Sequence, residues 1–66
     1  MIKVYWRGEA WVGMPNVVHL GERNCSLFEG PEYVAYPSVG FITVCRRGTH
    51  NCWYFPADLV HHVETE

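Results

Sequence analysis

The sequence predicts an all-β domain, a small antiparallel sheet or barrel of about six short strands. Three observations carry that expectation. β-branched and aromatic residues alternate with polar ones along most of the chain. No window places apolar residues at the i, i+3, i+4, i+7 spacing of an amphipathic helix. Glycine followed by a polar residue recurs at Gly8-Glu9, Gly21-Glu22 and Gly48-Thr49. Glycine first in a two-residue loop is the signature of a tight type II′ hairpin, because glycine takes positive φ there without strain.

Each element follows from this pattern. A two-residue loop at Gly8-Glu9 pairs Trp6 with Trp11, Tyr5 with Val12 and Val4 with Gly13. Ile2, Val4, Trp6 and Trp11 then share a core face, and Lys3, Tyr5 and Arg7 the opposite one. Gly21-Glu22 joins residues 17–20 to 23–28, where the alternation is less clean. Glu29-Gly30-Pro31-Glu32 reads as a loop, Tyr33 to Tyr36 as a short strand, and Pro37-Ser38 as the next break. Around Gly48-Thr49 the register pairs Cys45 with Cys52, Val44 with Trp53, Thr43 with Tyr54 and Ile42 with Phe55. Ile42, Val44, Trp53 and Phe55 form one apolar face, and Thr43, Cys45, Cys52 and Tyr54 the other; a one-residue slip would mix the two. After Pro56, Ala57-Asp58-Leu59 reads as one 3₁₀ turn and Val60 to Glu64 as a last strand.

The 66 residues make a single domain, 1–66. A chain this short buries only about 60% of its unfolded surface. With three tryptophans, four tyrosines and three phenylalanines, some rings must reach the surface, which favours a partner or a homodimer. Five Lys and Arg against seven Asp and Glu give a net charge of -2, a poor footprint for gripping a phosphate backbone. Direct nucleic-acid binding is therefore disfavoured. No apolar run is long enough to span a bilayer and the start lacks a signal-peptide pattern, so a cytoplasmic protein with mainly reduced thiols is the expectation.

Tyr54-Phe55-Pro56-Ala57-Asp58-Leu59-Val60-His61-His62-Val63-Glu64 resembles the end of SH3 domains: strand, Phe-Pro, a 3₁₀ turn, Val, last strand. The resemblance implies an SH3-like barrel, with Pro56 and Leu59 at the places that in the family help to line a groove for proline-rich peptides. By type, a single tiny, aromatic-rich, mildly acidic domain also resembles the inhibitors that bacteriophages and other mobile elements encode, of which anti-CRISPR proteins are a group. That resemblance implies occlusion of a surface on a host nucleic-acid-handling complex.

Cys45, His50 and Cys52 fall on one hairpin face and are the candidate zinc ligands, against plain packing of the thiols; no cofactor is expected. A Cys45–Cys52 disulfide also fits, because a hydrogen-bonded cross-strand pair sits about 5.5 Å apart at Cα. Asp58, His61 and His62 lack a nucleophile with a positioned base, so catalysis is not expected. Glu9 and Glu22 occupy hairpin tips and Glu29 and Glu32 flank Gly30-Pro31. These carboxylates, with Tyr33 and Tyr36 as apolar anchors, are the candidate protein-binding residues, facing lysines and arginines of a partner. The chain is thus expected to be a protein-binding inhibitor of the anti-CRISPR kind. The alternative is an SH3-like or nucleic-acid-binding β module of a larger host complex.

Overall fold

A computed structural model describes residues 1–8, 17–21 and 23–66, apart from the side chain of His19. These residues form seven strands and one 3₁₀ turn: β1 (Ile2–Arg7), β2 (Val17–Leu20), β3 (Arg23–Phe28), β4 (Tyr33–Ser38), β5 (Phe41–Arg46), β6 (Cys52–Pro56), the turn η1 (Ala57–Leu59) and β7 (Val60–Thr65). They make two antiparallel sheets, β2-β3-β1-β7 and β4-β5-β6. The all-β expectation holds, but among the described residues the sheets do not close into a barrel. Among the described residues no helix is long and apolar enough to cross a membrane.

Alternation in β1 buries Ile2, Val4 and Trp6, as its pattern demands. The first sheet meets the second through Phe28, whose ring lies 5.2 Å from Trp53, 5.5 Å from Tyr33 and 6.2 Å from Phe55, and through Trp6, 6.2 Å from Phe55. Val44 and Phe55 complete the core. In β3 the inward positions are Asn24, Ser26 and Phe28, and the two polar ones are built into the interior: Trp6 Nε1 donates to Ser26 Oγ at 2.9 Å and Asn24 Nδ2 to the Gly8 carbonyl at 2.7 Å. The blurred alternation of this strand is thus a buried polar seam satisfied by hydrogen bonds.

The β2-β3 hairpin around Gly21-Glu22 forms, with Leu20 opposite Arg23 and Val17 opposite Ser26. The Gly8-Glu9 hairpin is different. Trp11, Val12 and Gly13 lie outside the described residues, but both edges of β1 are already taken, by β3 and by β7, so Val4, Tyr5 and Trp6 do not pair there. In the second sheet β4 runs through Pro37 to Ser38, and the break falls at Val39-Gly40. Proline survives because β4 is an edge strand and Pro37 stands one pair from the two-residue turn, where its nitrogen faces away from β5.

The expected β5-β6 register is observed, from Ile42 opposite Phe55 to Cys45 opposite Cys52, and it extends to Phe41 opposite Pro56. Its turn sits one residue earlier than expected. Thr49 N–H donates to the Arg46 carbonyl at 3.3 Å, so Gly48, with φ 77°, is the third residue of the turn and not the second. The hydrogen-bond phase shifts with it. Arg46 N–H donates to the Asn51 carbonyl at 3.0 Å, and Cys45 and Cys52 form the next, non-hydrogen-bonded pair, 4.1 Å apart at Cα. A disulfide joins them, which corrects the expectation of reduced thiols and removes the cysteine argument for a cytoplasmic setting.

Phe28→Ala should lower the unfolding free energy by about 3 to 5 kcal/mol, measured by urea denaturation, because it empties the space between the sheets. A change below about 1 kcal/mol would contradict this account of the core.

Candidate protein-binding face

With Ile42, Val44, Trp53 and Phe55 directed into the core, alternation directs their neighbours outward. The outward positions lie in three cross-strand rows: Val34, Cys45 and Cys52; Tyr36, Thr43 and Tyr54; Ser38, Phe41 and Pro56. None of them is charged. Tyr36, Phe41 and Tyr54 are 47%, 42% and 55% exposed, far more than rings in a core, and Val39 in the adjoining turn is 99% exposed. The rings surround Thr43, which is buried beneath them although it sits on the outer side, and whose hydroxyl hydrogen-bonds Ser38 Oγ at 2.9 Å. Phe41 meets Tyr54 edge-on at 6.2 Å, and the Tyr36 hydroxyl lies 3.4 Å from Cys45 Sγ. The Gly40 carbonyl accepts from Ala57 N–H at 3.0 Å, tying the turn beneath Val39 to η1.

The sequence-predicted site residues do not converge on one surface. Tyr36 stands on the outer face, whereas Tyr33, an odd number of residues away, packs inward on Phe28 and Trp53. Glu29 is exposed just after β3. Glu32 is half-buried: its carboxylate folds back over Gly30, where φ is 105°, and its carbonyl accepts from Arg47 N–H at 2.7 Å. Glu9 and Glu22 lie outside the described residues. Phe41 and Tyr54, which the sequence reading does not single out, share this exposed face with Tyr36. The register expected for the last hairpin already set Tyr54 beside Thr43, and one more step would have added Phe41 opposite Pro56.

Of the three zinc candidates, His50 is exposed in the loop and Cys45 and Cys52 are consumed by the disulfide. Among the described residues no group of three His, Cys, Asp or Glu side chains is placed to hold a metal. Cys25 is the free thiol; burial pushes its pKa up, which disfavours the reactive thiolate.

The outer face of the first sheet sets polar groups beside the exposed Val18 and Leu20 of β2. Tyr5 stacks on His62, with ring centroids 4.3 Å apart, and donates a hydrogen bond to Glu64 Oε1 at 2.9 Å. That bond to a carboxylate, aided by partial burial and by the negative charge of Glu64, pushes the Tyr5 pKa up to about 12. β7 changes register between Tyr5 and Trp6, a bulge that brings His61 and His62 side by side, their Nδ1 atoms in contact. No family model, curated protein or solved structure matches this chain.

Protein denatured without reductant should titrate one thiol per chain, Cys25, and all three after reduction; three without reductant would exclude the disulfide. For Tyr5, whose folded pKa lies above its ordinary 10.0, the linked stabilisation is complete below that value and is lost as pH rises through about 12. In Glu64→Gln one tyrosine should therefore ionise at lower pH than in the wild type, read by ultraviolet tyrosinate absorbance. Superimposable titration curves would refute the Tyr5–Glu64 bond.

Proposed function

We propose that this chain is a small protein-binding module that acts by occupying a partner's surface through the outer face of β4-β5-β6, without catalysis. The observation that supports it is the uncharged aromatic face itself, with Tyr36, Phe41 and Tyr54 half in solvent. Rings held in place by a sheet lose little freedom on docking and supply the large contact area that dominates interface energetics. The same rings could stack on bases, but a single-stranded nucleic acid also needs cations along its backbone. None stands among the three rows; Lys3, Arg7 and Arg23 belong to the other sheet, and Arg46 and Arg47 lie at the hairpin tip. The protein reading is therefore favoured.

The finer reading is an inhibitor of a host nucleic-acid-handling complex, of the kind mobile elements encode. Small size, a net charge of -2 and the exposed carboxylate of Glu29 support it. It carries a location in the host cytoplasm with it. There the Cys45–Cys52 disulfide would face reducing conditions, and the hydrophobic core does not include it.

Affinity capture from bacterial lysate, with nuclease present, tests the proposal. The wild type should retain a stoichiometric protein partner and Tyr36→Ser with Tyr54→Ser should lose it, each substitution costing the fold no more than about 1 kcal/mol. Capture unaffected by the double substitution, or recovery of nucleic acid alone when nuclease is omitted, would overturn it. Self-association by sedimentation that disappears in the double variant would instead assign the face to a homodimer.

A further inference from the structure

We propose that a cavity on the first sheet binds the phosphomonoester of a hydroxylated small molecule, gripped by Arg7 and Arg23. The cavity, about 380 Å³, is lined by these two arginines with Asp58, Leu59, Val60 and His61. It lies apart from the aromatic face and does not rest on the protein-binding reading.

Arg7 and Arg23 are direct cross-strand partners at the end of the β1-β3 ladder. Like charges set opposite each other in an antiparallel pair destabilise it. Among the described residues the ion pairs are Lys3–Glu66 and His62–Glu64, and neither includes Arg7 or Arg23. An incoming anion relieves that repulsion. The bulge in β7 adds His61 to the same cavity, where the Arg23 guanidinium holds its pKa below the ordinary value. A neutral imidazole can donate to the ligand or accept from it.

The donor set selects the anion. One guanidinium already satisfies both oxygens of a carboxylate, whereas two guanidiniums and an imidazole offer donors for three or more acceptor oxygens and, with the Asp58 carboxylate beside them, leave positive charge in excess. A phosphoryl group provides the oxygens and the negative charge. The cavity is larger than phosphate alone and falls within the range of small-ligand sites. Leu59 and Val60 offer an apolar wall to the carrier. Asp58 disfavours a bare dianion but accepts a hydrogen bond from a carrier hydroxyl.

Calorimetry on the full chain, with ribose 5-phosphate, inorganic phosphate and acetate as probes, tests the site. Ribose 5-phosphate should bind most tightly, phosphate more weakly and acetate not measurably. Arg7→Gln and Arg23→Gln should each weaken ribose 5-phosphate binding by about tenfold or more while the thermal midpoint stays level or rises. The imidazole resonances of His61, which faces Arg7, Arg23, Asp58 and His62, should titrate at higher pH in the complex. Absence of saturable binding, binding indifferent to both substitutions, or phosphate matching ribose 5-phosphate would each overturn the proposal.

Discussion

The fold depends on the aromatic packing between its two sheets, with Phe28 at its centre. Phe28 closes β3 and contacts Trp53, Tyr33 and Phe55 of the second sheet, and Trp6 of β1 meets Phe55 beside it. Two sheets of four and three short strands are held face to face by these rings and the aliphatic side chains around them, Ile2, Val4 and Val44, and a chain of this size has a thin core in any case. Once the inward side of β5 and β6 is committed to Phe28 and Trp6, the two-residue period of a strand leaves no choice about the other side. Tyr54 must point out because Trp53 and Phe55 point in. The exposed rings are therefore fixed in position by the core, which is the condition for a rigid contact surface.

Where the alternation was clean, the sequence was legible. The β5-β6 register could be read because only one pairing keeps Ile42, Val44, Trp53 and Phe55 together. The 3₁₀ turn after Pro56 was likewise legible from proline chemistry. Legibility failed where neighbours in space are distant in sequence. Trp6 and Trp11 made a plausible local hairpin, but β1 is a central strand whose partners come from β3 and from the far end of the chain. Turn phase was also lost. A glycine fits either central position of a tight loop, and the choice of the wrong one moved the hydrogen bonds by one pair and made the cysteines look farther apart than they are.

The candidate site was half legible for the same reason. Tyr36 and Tyr33 stand close in the chain, but parity along β4 sends Tyr36 to the exposed aromatic face and Tyr33 to the opposite side. The cavity beside Arg7 and Arg23 was beyond reach, because it needs the β1-β3 ladder and the β7 bulge together. The outcome is a molecule with two chemically distinct outer faces. The outer face of the four-stranded sheet carries Lys3, Arg7 and Arg23, and the three outward rows of the three-stranded sheet carry no charge.

Pro37 bears on how such a molecule stays single. An exposed aromatic sheet whose six-residue edge strand pairs on one side only, among the described residues, is the kind of template on which further chains add strand by strand into fibres. A new strand would need the outward amide at Pro37, and proline has none. Growth along the sheet is interrupted there, and lateral contact through the rings remains as the way this face can meet another surface.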